Sequence, residues 1–198
     1  VKKIGRKLED QGMNVIYTRT DDRFVTLNER TNIANNNSGD IFISIHANSI
    51  DKSPQTRGFE TYLLRLVKTS DAIEEVEKRE NSVIEEYEKQ TQFYEKFSKI
   101  NATILQRANA DQSQDLAYNI QEELSKSLNR KYNRGIKQAG FQVLWGVTMP
   151  NILVEVGFIT NKDEAKNLTS NKYHNKISNS IVKAIINYKN KYERNIIK

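Results

Sequence analysis

Two side chains stand where chemistry could be done. His46 closes the stretch Asp40-Ile-Phe-Ile-Ser-Ile-His46-Ala-Asn48. Ile41, Phe42, Ile43 and Ile45 form an apolar run on both parities, which predicts a strand buried on both faces of a sheet. A neutral imidazole at the carboxyl end of such a strand can offer nitrogen to a metal or accept a proton. The plain structural alternative is a histidine that ends a strand and bonds nearby backbone. Glu155 is set inside a second short apolar run, Asn151-Ile-Leu-Val-Glu155-Val-Gly157-Phe. A carboxylate between Val154 and Val156 is costly unless it is paired, bound to a metal or opened to a wet cleft. Burial there would raise its pKa and suit it to proton transfer. Its structural alternative is an internal salt bridge. Two interior strands that each deliver one such group point to a cleft enzyme.

A length of 198 residues suffices for one domain with a real core. No apolar run approaches the roughly 20 residues needed to span a bilayer. The absence of cysteine excludes disulfides and thiolate metal sites and leaves the compartment open. A formal charge of +6 suits an anionic polymer such as nucleic acid or bacterial wall. Lys and Arg are interspersed with Asp and Glu, however, and no basic stripe with interleaved aromatics argues for nucleic acid. Val1 is neither an initiator methionine nor part of a secretory signal, so the chain reads as a fragment or a processed form.

The elements that must position His46 and Glu155 alternate along the chain. Val1, Ile4 and Leu8 share one helical face, with Gly12 as its stop. Asn14 to Arg19 is expected to be a strand. Thr26 with Glu29 three residues on is a capping-box signal, opening a helix through about Asn35 with Leu27, Ile33 and Ala34 inward. The His46 strand follows, so helix and strand alternate and parallel pairing is implied. Gly58 to Leu64 is a further strand. Residues 71–111 change character: Ile73, Val76, Val83, Ile84 and Tyr87 recur at helical spacings amid Glu and Lys, which predicts a helical insertion, long enough for a lid. Leu116, Ile120, Leu124 and Leu128 mark an amphipathic helix over Gln112–Leu128, and Asn133-Arg134-Gly135 reads as a turn. Phe141 to Trp145 is expected to be a strand leading to the Glu155 strand. Asn161 is placed as an N-cap, and Ile177, Ile181, Ala184, Ile185 and Tyr188 mark a final helix. The fold class expected is one α/β domain, a mostly parallel twisted sheet flanked by helices.

The chain carries, in order, Val15-Ile-Tyr-Thr-Arg19 with Asp21-Asp22, Leu27-Asn-Glu-Arg30, Ile43-Ser-Ile-His-Ala-Asn48, Arg134-Gly135, Phe141-Gln-Val-Leu144, Met149-Pro150 and Val154-Glu-Val-Gly-Phe-Ile-Thr-Asn161. This ordered set resembles the zinc-dependent N-acetylmuramoyl-L-alanine amidases of the type-3 amidase family. It covers nearly the whole chain outside 71–111, and the insertion, with Arg79-Glu-Asn-Ser-Val-Ile84, looks like that of the longer Bacteroidetes-type members. The resemblance implies Zn2+ as cofactor, His46 as a zinc ligand and Glu155 as the catalytic glutamate. It also implies two further zinc ligands and the family's first strand upstream of Val1, because the chain begins inside the first helix. His174 is read as an exposed helix residue rather than a substitute ligand. Peptidoglycan is the implied substrate, cut between N-acetylmuramic acid and L-alanine, in the periplasm or at the cell wall. Some longer members carry a helix that covers the zinc cleft until an activator protein withdraws it. The resemblance gives residues 71–111 that role, with one of Glu74, Glu75, Glu77, Glu80, Glu85 and Glu86 approaching the metal. The competing class is a wall-binding or regulatory module with the same fold and no metal; a nucleic-acid module would instead show steeply salt-dependent binding.

Overall fold

The computed structural model describes residues 1–64, 74–82 and 104–196. A four-stranded sheet runs in the order β1 (Phe42–Asn48), β4 (Asn151–Phe158), β2 (Phe59–Leu64), β3 (Asn133–Ala139). β1 lies parallel to β4 and β2 parallel to β3, while β2 and β4 are antiparallel, so the sheet is mixed. Helices α1 (Lys2–Glu9), α4 (Ala110–Ser127) and α6 (Asn171–Ile196) cover one face; α2 (Leu27–Asn36) lies on the other, and α5 (Lys162–Leu168) follows β4. Within the 71–111 segment the described residues are 74–82, which hold helix α3 (Glu74–Asn81), and 104–111, which lead into α4. Ile73, Val83, Ile84, Tyr87, Glu85 and Glu86, and the side chains of Glu74, Glu75 and Val76, lie outside the described part.

The core is built from the apolar faces read in the sequence. Leu116, Ile120 and Leu124 of α4 and Ile181 and Ala184 of α6 are fully buried against Ile152 and Val154 of β4. Thr26 caps α2 by accepting from the Glu29 N–H at 3.1 Å, and Asn161 caps α5 by accepting from Asp163 and Glu164. These caps satisfy amides that a helix start otherwise leaves bare. All eight residues of β4 are buried, as suits a strand with a neighbour on each side and helices over the sheet. β1 is less enclosed than expected: Phe42 is buried, but Ile43 and Ile45 are half-buried, because β1 pairs with a strand on one side alone among the described residues.

Several expectations are corrected. Asn14 to Arg19 makes no strand among the described residues; it runs without a ladder partner, with Val15 packed on the core and Ile16 44% exposed. β-Forming side chains favour extension, but a strand also needs a neighbour to take its amides. Phe141 to Trp145 is a 3-10 turn over Gln142–Leu144, not a strand. Phe141, Val143 and Leu144 are all buried, whereas alternation would put every second residue outward; Phe141 meets Tyr62 edge-to-face at 5.0 Å. The Asn133-Arg134-Gly135 turn signal is instead the start of β3. The register slips between Phe59 and Thr61, and Gly135, at φ +80°, supplies the bulge conformation that favours glycine. Val1 is 67% exposed, so the α1 face consists of Ile4 and Leu8.

Candidate active site

His46 and Glu155 are register partners across the parallel β1–β4 pair, near the carboxyl ends of both strands. The sheet thus brings together two residues separated by 109 positions, because β1 and β4 are neighbours. His46 Nε2 lies 2.9 Å from Ser44 Oγ, two residues back on the same strand face, and this contact orients the ring. Its Nδ1 lies 2.7 Å from Glu80 Oε2 of α3. Ligand atoms of His46, Glu80 and Glu155 lie within 4.8 Å of one another, a group that could hold a metal ion. Among the described residues it is the one such group, and His174 is not in it. His174 is half-buried rather than exposed, with Nε2 against the Leu168 carbonyl, which ties α6 to the end of α5.

Helix α3 enters the site through consecutive residues with opposite charges. Arg79 Nη2 donates to Glu80 Oε1 at 2.8 Å and to Asn48 Oδ1 at 3.1 Å, and Nη1 donates to the Ser49 carbonyl. On its other side α3 is held by Gly140 donating to Glu77 at 2.9 Å and by Asn81, which bonds the backbone of Gly140 and Gln142. Of the six glutamates the sequence left open, Glu77 and Glu80 have described side chains; Glu80 is the one of these at His46, while Glu77 clamps the helix.

The electrostatics of the two carboxyls diverge. Burial alone would raise Glu80, but hydrogen bonding and charge from His46 and Arg79 hold it down at about 2. Glu155 is fully buried, and neither of its oxygens has a hydrogen-bond partner among the described residues. Burial first, then the negative charge of Glu80, pushes it up to about 8, against the pull of Arg79 4.0 Å away. Sequence reasoning missed a third buried carboxylate, Glu60, the register partner of Glu155 on β2. The signal was present: a glutamate inside the apolar run Phe59 to Leu64, the same anomaly that marks Glu155.

The family model described as N-acetylmuramoyl-L-alanine amidase matches residues 1–187. Uncharacterized protein YqiI of Bacillus subtilis is 32% identical over 182 residues, 92% of this chain and 67% of its own. N-acetylmuramoyl-L-alanine amidase AmiA of Salmonella typhimurium is 30% identical, with 94% of this chain and 65% of its own covered. The chain thus spans about two thirds of the length of these relatives. Among solved structures, the amidase AmiC2 of Nostoc punctiforme superposes with a TM-score of 0.68 at 27% identity, covering 94% of this chain and 78% of that one. The chain belongs to the type-3 family of N-acetylmuramoyl-L-alanine amidases.

Proposed function

We propose that this chain is the catalytic unit of a peptidoglycan hydrolase that cuts the amide between the lactyl group of N-acetylmuramic acid and L-alanine, in the periplasm or at the cell wall. The observation that carries the reading is the meeting of His46, Glu80 and Glu155 within 4.8 Å at the strand ends. The donor set fits Zn2+, which accepts imidazole nitrogen and carboxylate oxygen. The orphaned carboxyl of Glu155 fits it too, since a nearby cation relieves the cost of an unpaired buried acid. His46 would hold the ion through a ring nitrogen, and Glu80 would add a carboxylate oxygen only while α3 is docked, in the position that water needs. When bound, zinc polarises the scissile carbonyl and makes water acidic enough to attack near neutral pH. Glu155 takes the proton of the attacking water and delivers it to the leaving nitrogen of L-alanine. Ser44 keeps the His46 ring in place meanwhile.

In this reading residues 71–111 are an inhibitory insertion, and Glu80 is its plug. A carboxylate seated 2.7 Å from His46 takes the space that water and substrate need. Arg79, bonded to Asn48 and Ser49 at the end of β1, keeps Glu80 there. An activator protein that draws α3 away would open the cleft. The test is release of alanine-ended peptide from purified peptidoglycan. Glu80→Ala should raise the rate about tenfold or more if the open state is a minor one. An unchanged or lower rate in a folded Glu80→Ala chain would remove the plug from the account.

A further inference from the structure

Beside His46 lies a cavity of about 190 Å³ whose lining has two characters. Leu27, Phe141 and Val143 supply an apolar wall, and Arg19 and Arg30 supply two guanidiniums. Both arginines are held from behind by backbone: Arg30 Nε donates to the Val25 carbonyl at 3.0 Å, and Arg19 Nη1 to the Arg23 carbonyl at 3.1 Å. The Nη atoms of Arg30 are thereby left to a ligand among the described residues. Burial and the charge of Arg19 both disfavour the Arg30 cation, and the one anion that opposes them is Glu80. Like charges brought together in a half-buried site are costly until an anion joins them. Glu80 lines the same cavity, but its carboxylate is held by His46 and Arg79, so it balances the Arg30 charge from a distance and leaves the guanidinium unpaired among the described residues. A cavity with an apolar wall and a cationic end is complementary to the methylenes and carboxylate of an acidic amino acid.

We propose that Arg30 and Arg19 form a subsite for an acidic side chain of the substrate peptide, next to the place where Glu80 sits while α3 is docked. The identity of that peptide rests on the amidase reading; the preference for a carboxylate does not. Its aliphatic part packs against Leu27, Phe141 and Val143, and its carboxylate is received by the two guanidiniums. The docked helix lines this cavity through Glu80 and Asn81, and so crowds substrate there as well as at the metal.

Calorimetry with N-acetylmuramoyl-L-alanyl-D-glutamate and its diamide tests the proposal, using the unaltered chain, Glu80→Ala, and Glu80→Ala combined with Arg30→Gln or Arg19→Gln. The acid should bind Glu80→Ala at least about tenfold more tightly than the diamide, as charge-assisted bonds imply, and more tightly than it binds the unaltered chain. Arg30→Gln should shrink the preference to within about twofold. Equal binding of acid and diamide to Glu80→Ala, binding of neither, or a preference that survives both arginine replacements overturns the subsite. If Arg30→Gln melts early through loss of its bond to Val25, the exposed Arg19→Gln carries the test. Product analysis on the same samples separates the two readings: acid preference without hydrolysis upholds the subsite and contradicts the amidase assignment.

Discussion

Glu60 and Glu155 face each other across the antiparallel β2–β4 pair, equally shut from solvent, in opposite surroundings. Glu60 is saturated. Its Oε1 accepts from Asn48 at 3.0 Å and Tyr62 at 2.7 Å, and its Oε2 from Arg134 at 2.8 Å and Lys137 at 2.5 Å. Burial by itself would raise its pKa, but bonds from Lys137 and Tyr62, the charge of Lys137 and the bond from Arg134 bring it below the ordinary value. Glu155 is left with an arginine 4.0 Å away and a pKa pushed up to about 8. The difference comes from neighbours rather than depth: β3 brings two cations to Glu60, while Glu155 opens toward the cleft that α3 covers. A buried acid whose bonds are all made holds a structure together. One whose bonds are unmade is poised for a ligand or a proton.

The contrast can be broken in several ways, from large effects to small. His46→Ala should weaken zinc binding by more than the roughly 10–100-fold that loss of an outer partner costs, while leaving the thermal melt cooperative; equal zinc binding in a titration would take His46 out of the metal site. Glu80→Ala acts next, with the about tenfold gain in peptide release given above. Glu60→Gln should then lower stability by about 1–3 kcal/mol in a denaturant titration, discounted because Arg134 and Lys137 are about a third exposed. Glu155→Gln should cost little or nothing in the same titration, since it removes no bond. Reversal of that order would dissolve the contrast. The smallest effect is in pH. Glu60 has a folded pKa below its unfolded one, so its stabilisation is present above the unfolded value of about 4.3 and is lost as pH falls through the folded value. The acid-side fall in unfolding midpoint should therefore be shallower in Glu60→Gln than in the unaltered chain.

Much of this was legible in residues whose environment is fixed locally. The capping signals at Thr26 and Asn161, the apolar stripe of α4 and α6, and a glutamate inside the β4 run all declare themselves within a few positions. What was not legible depends on distant partners. Asn133-Arg134-Gly135 looks like a turn until β2 lies beside it and the glycine becomes a bulge. Glu164 looks like an acidic helix start. It is buried and accepts from the Gly58 and Phe158 amides at 2.7 Å each, tying β2, β4 and α5 together. Phe141 to Trp145 has strand composition but packs as a turn under Tyr62. Arg79 and Glu80 are one charged pair in a segment full of them. Only the docking of α3 on Gly140 and Asn48 singles them out.

The central claim is that Glu155 is unsatisfied because it works on the substrate. The most direct measurement is the rate of alanine-ended peptide release by zinc-loaded Glu80→Ala, compared with the same chain carrying Glu155→Gln, with bound zinc and melting followed in both. The account predicts unchanged zinc and fold and a rate lower by roughly 10²–10⁴-fold, the range for loss of a positioned proton-transfer group. A Glu155→Gln chain that binds zinc and releases peptide at a near-normal rate would contradict it.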